Sequence, residues 1–197
     1  DVRPWDAGEE RDGFVIGTGE FTGAGLSPDG TRVPKFVNLD MEEYRDLEVT
    51  YAAFTQALDQ ASFKDYSAGI VLQAYLPDSY RIQQKLTAWA KQRTAAGGSP
   101  IRLRIVKGAN MEMEKVEAAI FDWPLAPYDN KLDVDANWKR MVDFGMHPAN
   151  ISAVRLGIAT HNLFDIAYAY LVARQNIQDL NFRLSAKPCK KVTLMLW

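Results

Sequence analysis

The fold is decided by the stretch Arg104-Ile105-Val106-Lys107-Gly108-Ala109-Asn110. An apolar run typical of a β-strand carries an arginine and a lysine, and it then breaks at Gly108-Ala109 into a helical pattern. The sequence therefore places two cations where a strand ends and a helix begins. In barrels of alternating strands and helices, active sites are built from the residues at this end of the strands.

Polar residues occupy equivalent positions at three other predicted strands. Asp40 follows the strand-like run 35–39, Gln73 lies within the run 69–75, and His161 follows the run 154–160. Because the carboxyl ends of parallel strands meet at one edge of a sheet, these positions and Arg104 together predict a single pocket.

Strand-like and amphipathic helical segments alternate from residue 35 onward. This alternation predicts parallel βα units with right-handed crossovers, and hence an α/β fold of the (βα)8 barrel type. About four units are recognisable, which is half of a closed eight-stranded barrel. The predicted strands are 35–40, 69–75, 101–107 and 153–159, and the predicted helices are 42–60, 79–95, 110–121, 132–145 and 162–175.

The same pattern divides the chain into three segments. Residues 1–34 are rich in Gly, Asp and Pro and are predicted to be irregular, with a hairpin that pairs 14–16 with 20–22. Residues 35–176 are the predicted barrel segment, and 177–197 are an atypical tail in which 181–184 is a candidate strand. A half barrel has two open sheet edges. We therefore expect the tail and N-terminal segment to cover them, the chain to form oligomers, or a longer protein to complete the barrel.

Composition excludes several classes of function. The 197 residues are 47% hydrophobic, enough for the core of one domain, and the formal charge of −2 gives no support for nucleic-acid binding. One cysteine excludes an internal disulfide and fits a reducing compartment, so we expect a cytoplasmic protein. With only two histidines we predict no metal site, although carboxylates alone leave magnesium open. No apolar run is long enough to span a bilayer.

Each candidate residue also has a purely structural interpretation. Asp40, with Glu43 three residues later, fits an N-cap and capping box, which does not exclude a place in the pocket. The Gln73 amide needs a partner within an apolar strand, either in the barrel wall, which we slightly favour, or on a ligand. His161 fits a core histidine as well as a functional one, and Asn162 is a suitable helix N-cap.

Arg102 and Arg104 share one face of their strand, because side chains alternate along a strand. A buried arginine without an anionic partner is costly. Arg104, which lies nearer the end of the strand, is therefore the better ligand candidate. The alternative for this pair is an internal salt bridge.

Two further patterns have structural explanations. The segment 17–23, Gly-Thr-Gly-Glu-Phe-Thr-Gly, resembles a dinucleotide-binding fingerprint, but its third glycine comes one position late, so a turn is predicted. In the last helix Leu163, Ile166, Tyr170 and Leu171 fall on one face, which predicts the face that packs.

Four ordered motifs resemble those of the flavin-dependent proline dehydrogenases, and most closely the proline dehydrogenase domain of bifunctional proline-utilisation enzymes. The motifs are Asn38-Leu39-Asp40-Met41-Glu42-Glu43, Val71-Leu72-Gln73-Ala74-Tyr75, Arg104-Ile105-Val106-Lys107-Gly108-Ala109 and Ala159-Thr160-His161-Asn162. Residues 131–135 also resemble the family's segment between the third and fourth motifs. The resemblance covers about residues 34–176, and four motifs at fitting spacings are far more specific than one.

The resemblance implies a distorted (βα)8 barrel that holds FAD at the carboxyl ends of its strands. The implied reaction oxidises L-proline, or a similar small amino acid, to Δ1-pyrroline-5-carboxylate, with hydride passing to flavin N5 and electrons to a quinone. A quinone acceptor implies peripheral contact with the inner membrane. By motif, Arg104 and Gln73 would contact the isoalloxazine, Lys107, Gly108 and Ala109 would line the cofactor, His161 would hold it beyond the ring, and Asp40 would support the arginine.

The sequence departs from this family in several ways. Asn110 stands where many members have tyrosine, and the early strands with a substrate-contacting lysine are not recognisable in residues 1–33. The family's C-terminal helix, with paired arginines that grip the substrate carboxylate, has no counterpart. We therefore expect a flavoenzyme segment that lacks part of its substrate site. The alternative is a non-catalytic remnant that acts as a binding or assembly module.

The isolated chain, loaded with FAD, is predicted not to oxidise proline at a normal rate. A zwitterionic substrate needs fixed cations to orient its reacting carbon, and a misplacement of about 1 Å already costs on the order of a hundredfold. The test mixes the loaded chain anaerobically with excess proline and follows the flavin absorbance. Bleaching within seconds would contradict the prediction and show that another part of the chain supplies the missing cations.

Overall fold

Strands and helices alternate in the computed structural model of the chain. The structure describes the backbone of residues 24–26, 32–34, 36–40, 43–108, 110–183 and 193–194, and side chains within 36–40, 43–108 and 110–176. In this part of the chain the strands are β1 (Ala24–Leu26), β2 (Arg32–Pro34), β3 (Asn38–Leu39), β4 (Gly69–Gln73), β5 (Ile101–Val106), β6 (Val154–Ile158) and β7 (Thr193–Leu194). β1 and β2 form an antiparallel pair within the segment predicted to be irregular. The predicted hairpin at 14–16 and 20–22 and the glycine segment 17–23 lie outside the described residues.

The helices follow their predicted bounds closely except at two ends. They are α1 (Leu47–Leu58), α2 (Asp78–Ala95), α3 (Met111–Phe121), α4 (Lys131–Met146) and α5 (Leu163–Arg183). α1 begins later than predicted, after the 3-10 turn Tyr44–Asp46. The candidate strand at 181–184 is wrong, because α5 continues to Arg183. Ile177, Leu180 and Leu184 continue the helical spacing, and no proline interrupts it before Pro188.

Strands β3 to β7 form one parallel sheet in the order in which they follow along the chain. Each crossover therefore moves in the same direction and leaves its helix on the same face of the sheet. Doubly wound sheets instead reverse direction at a switch point. The sheet is thus an arc of a (βα) barrel. β7 pairs with β6 at Gly157↔Thr193 and Ile158↔Leu194, so the tail covers that sheet edge over two residues.

The two faces of the arc differ in chemistry. The outer face packs against the helices and is buried; it includes Ile70, Leu72, Leu103, Ile105, Leu156 and Ile158. The inner face carries Val71, Gln73, Arg102, Arg104, Arg155 and Gly157, which share one side of the sheet by register. Fully burying one side chain of the outer set stabilises the fold by about 1.5–3 kcal/mol. Burial of these apolar side chains therefore determines which face of each strand packs against the helices.

Helix α5 packs with a different face from the one predicted. Among the side chains of α5 that the structure describes, up to residue 176, Asp165, Ala169 and Ala173 are buried, whereas Leu163 and Leu171 are exposed. The prediction followed the largest apolar side chains. Alanine, however, lets two helices approach closely, and Tyr168 on the same side donates a hydrogen bond to Asp143 of α4 at 2.8 Å. That bond and burial raise the pKa of Tyr168 to about 12, with burial the larger cause.

Helix α3 lies outside the helix layer. None of its residues is buried, and α4 packs against both α2 and α5 in its place. Glu114 Oε1 accepts a hydrogen bond from the backbone N–H of Tyr44 at 2.7 Å. Because Tyr44 and α3 both follow the ends of strands, α3 lies toward the carboxyl end of the sheet.

The buried Arg93, in the last turn of α2, joins the loops near the C-terminal end of this helix. Arg93 donates from Nη2 to the carbonyls of Phe63 and Lys64 at 2.6 and 2.8 Å, and from Nε to Ser99 at 3.1 Å. It also donates to the carbonyls of Leu58 and Tyr66. A planar guanidinium has five N–H donors in a fixed geometry, so a single side chain holds the segment after α1 against the segment before β5.

We predict that Arg93→Lys lowers the free energy of unfolding by about 2–4 kcal/mol, since an ammonium cannot satisfy five carbonyls in two segments. Arg81→Lys is the matched control on the same helix, because Arg81 forms exposed ion pairs with Glu48 and Asp78. The control should lose less than about 1 kcal/mol. Urea denaturation followed by circular dichroism measures both losses, and equal losses would refute the role of Arg93.

Candidate active site

Asp40 and Arg104 meet on the inner face across strand β4. Arg104 Nη2 donates to Asp40 Oδ1 at 2.9 Å, and Asn38 Nδ2 donates to the same oxygen at 2.8 Å. The predicted capping box is therefore wrong, because Asp40 bonds these side chains and α1 begins only at Leu47. Since the Asp40 side chain is 55% exposed, the ion pair is worth at most about 1 kcal/mol, and its main effect is to orient the guanidinium.

The two arginines of β5 are in different surroundings. Arg104 Nε is buried and has no hydrogen-bond partner among the described residues. Arg102 instead places its guanidinium over the ring of Phe36, 4.6 Å from the centroid. A buried N–H without a partner costs about 1–3 kcal/mol, so Arg104 carries a donor that an acceptor group can satisfy.

Gln73 is the last residue of β4, the strand that lies between Asp40 and Arg104. Its side chain is 4% exposed, and register places it beside Val106, two residues beyond Arg104 on the same face. The backbone continues the pairing past the strand, since the N–H groups of Ala74 and Tyr75 donate to Val106 and Lys107, each at 2.8 Å. The carboxyl ends of β4 and β5 are thus held together up to Lys107.

Gly108 is forced by its surroundings to be glycine. Its φ of +129° lies in a region that L side chains rarely adopt, and a Cβ at this position would fall 1.8 Å from Cδ1 of Tyr75. The backbone therefore turns sharply against a buried tyrosine ring directly after β5. Ala109, the third residue of the predicted cofactor-lining run, lies outside the described residues.

The side chain of Lys107 points away from the inner face. Its Nζ lies 2.5 Å from Asp135 of α4 and 2.6 Å from Asp165 of α5. Burial lowers the pKa of Lys107, but the hydrogen bonds to Asp135 and Asp165 outweigh it, so the net pKa is raised. For Asp135 burial raises the pKa, but the hydrogen bonds from Lys107 and Lys131 outweigh burial, so the net pKa is lowered.

His161 lies in an exposed turn after β6, so it is not a core histidine. The Asn162 N–H donates to Thr160 Oγ1 at 3.1 Å, and Asn162 Oδ1 accepts from the N–H of Phe164 at 2.9 Å. Asn162 therefore caps α5, as predicted. These bonds fix the backbone on both sides of His161.

The structure brings Asp40 and Arg104 into contact and places Gln73 on the strand between them. His161 follows β6, the neighbour of β5 on the other side. The role of Asp165 does not show in the sequence, because an acidic residue in the first turn of a helix suggests only an interaction with the helix dipole. The packing of Tyr75 against Gly108 does not show there either, because it joins two different strand ends.

The described residues include no cluster of three His, Cys, Asp or Glu side chains that could hold a metal ion. In the same part of the chain, no helix combines the length and apolarity needed to cross a membrane.

A family model for proline dehydrogenase matches residues 28–185. The chain belongs to the proline dehydrogenase family. The match contains all four motifs and the whole arc from β3 to β6. It accounts for the fold, since this arc is part of the (βα)8 barrel of the family. No curated protein sequence matches the chain.

Similar solved structures are proline-utilisation proteins, named proline utilization A. The protein from Corynebacterium freiburgense is 52% identical, with a TM-score of 0.70 over 72% of this chain. The protein from Bdellovibrio bacteriovorus, inactivated by N-propargylglycine, is 38% identical, with a TM-score of 0.66 over 71%. In both cases the match covers 14% of the other chain, so this family member spans a small part of those proteins.

We predict that Gly108→Ala in this proline dehydrogenase family member lowers the free energy of unfolding by at least about 2–3 kcal/mol, because strained backbone and a clash with Tyr75 combine. Gly157→Ala is the control, since a Cβ there meets its nearest atom at 3.7 Å. The control should change stability by less than about 1 kcal/mol. Thermal and urea unfolding measure the difference, and a tolerated Gly108→Ala would contradict the conformation described here.

Proposed function

We propose that the chain binds FAD and forms the flavin-binding part of an enzyme that oxidises L-proline, or a similar small amino acid, to Δ1-pyrroline-5-carboxylate. The observation that carries the proposal is Arg104, which Asp40 orients at 2.9 Å while its buried Nε lacks a partner. We further propose that the electrons pass to a quinone, with peripheral contact at the inner membrane.

The residues at this end of the sheet fit a flavin. A guanidinium keeps its charge in a low-dielectric pocket, and Arg104 also offers an unsatisfied N–H donor. The absent side chain of Gly108 leaves room for the Tyr75 ring, which holds the backbone directly after β5 at this end of the sheet. Arg104 and Gln73 would hold the isoalloxazine, the backbone at 107–109 would line it, and His161 would contact the part beyond the ring.

FAD, when bound, supplies the acceptor for the hydride that leaves the substrate. Arg104 contributes a fixed positive charge where negative charge develops on reduction, and such preorganised charges cost no reorganisation during reaction. Asp40 holds the guanidinium in place, and Asn38 in turn holds Asp40 through the 2.8 Å hydrogen bond. Arg104, Asp40 and Asn38 can therefore supply and orient this charge without a metal ion or a nucleophile.

A second candidate function is a non-catalytic binding or assembly module. One observation favours it: Leu163, Phe164, Tyr170 and Leu171 leave an apolar stripe of α5 exposed. Such stripes mark surfaces that another element or chain covers. Flavin absorbance separates the two proposals, because the purified chain mixed with FAD and freed of excess ligand is yellow only if it is a flavoprotein.

We predict that Arg104→Met weakens FAD binding about 10- to 150-fold, which corresponds to the loss of one charge-assisted contact of about 1.5–3 kcal/mol. Arg102→Met should leave the dissociation constant within about threefold, since its contact is with Phe36. Fluorescence titration measures both values. Unfolding of flavin-free Arg104→Met, seen by circular dichroism, would instead support a purely structural salt bridge, and equal affinities would contradict the assigned contact.

A further inference from the structure

Lys107 links three separate elements through one ammonium group. It follows β5, and its Nζ contacts Asp135 of α4 at 2.5 Å and Asp165 of α5 at 2.6 Å, above the face of Trp138. The two carboxylates are largely buried, with side-chain exposures of 25% and 8%. An ammonium donates up to three hydrogen bonds and accepts none, so these two anions satisfy most of its capacity.

The link extends from Asp165 to the turn that carries His161. Asp165 Oδ2, the oxygen that contacts Lys107, also lies 3.2 Å from the hydroxyl of Thr160. Thr160 Oγ1 in turn accepts the N–H of Asn162 at 3.1 Å. A continuous chain of contacts therefore runs from Lys107 through Asp165 and Thr160 to the backbone beside His161.

The backbone of Lys107 is fixed at the same time. Its carbonyl accepts the N–H of Tyr75 at 2.8 Å, and the ring of Tyr75 defines the space around Gly108. One residue thus determines both the start of the Gly108 turn and, through Asp165, the position of the His161 turn. These two turns lie at the ends of the adjacent strands β5 and β6.

We propose that Lys107 and Asp165 are positioning residues that couple the Gly108 turn to the His161 turn, so that both present one surface to the flavin. This inference rests on the proposed function. Lys107 does not act through its ammonium on the flavin, because that group lies on the outer side of the sheet between two carboxylates. Its effect passes through the backbone of residues 107–108 and through Asp165.

The decisive variant is Asp165→Asn, which keeps the shape of the side chain and leaves Lys107 paired with Asp135. We expect FAD to bind about tenfold more weakly, and the amides of Asn162 and Phe164 to exchange hydrogen faster in the flavin-free chain. Asp143→Asn is the control, since Asp143 also joins α4 to α5, through Tyr168, without contacting either turn. It should change neither measurement.

A double-mutant cycle with His161→Ala tests the coupling itself. If Asp165 acts by placing His161, Asp165→Asn should weaken FAD binding by less than about twofold further in the His161→Ala background. Lys107→Arg, which keeps the charge, should bind FAD more tightly than Lys107→Met. Should Lys107→Met fail to fold, the Asp165 cycle still decides the question.

The inference is overturned if Asp165→Asn lowers only the melting temperature and leaves FAD affinity and amide exchange unchanged. It is also overturned if the effects of Asp165→Asn and His161→Ala on the free energy of FAD binding are additive. Failure of the wild-type chain to bind FAD would overturn the proposed function instead. In that case faster exchange in Asp165→Asn would still support the coupling of the two turns, and unchanged exchange would refute it.

Discussion

A guanidinium on the inner face of a parallel sheet cannot lose its charge, and the arrangement around β5 follows from accommodating Arg104. Asp40 reaches it across β4, so β3 has to lie next to β4 with the register Asn38↔Gly69. This pairing leads the chain into α1 and the helix layer. The ion pair itself is half exposed and contributes little stability, but it determines where the donor groups of Arg104 point.

Strand β5 separates two charged environments that serve different purposes. Arg104 lies on the inner face, partly unsatisfied, whereas Lys107 lies three residues later on the outer side, enclosed by carboxylates and Trp138. Because successive side chains of a strand point to opposite faces of the sheet, Arg104 and Lys107 lie on opposite sides. The outer cation joins β5 to α4 and α5, whereas the inner one keeps a buried N–H donor that has no partner among the described residues.

The helix layer shows how packing overrides apolar pattern. α3 follows β5 directly, yet α4 occupies the place between α2 and α5, with Trp138 and Met141 fully buried. In α5 the small residues Ala169 and Ala173 are buried, and the larger apolar residues Leu163, Phe164, Tyr170 and Leu171 are left exposed. Close packing favours small side chains at the contact, so the buried face of α5 is not its most apolar face.

The sequence by itself determined the alternation of strands and helices, the shared face of Arg102 and Arg104, the cap at Asn162 and the family. These features depend on periodicity and on local chemistry, which neighbouring residues carry. Only the tertiary structure decided that Asp40 pairs with Arg104 rather than capping a helix, that Lys107 joins Asp135 and Asp165, and that α5 buries Ala169 and Ala173. Each of these depends on contacts between residues far apart in the chain, and which polar group reaches which partner is fixed only when the elements pack together.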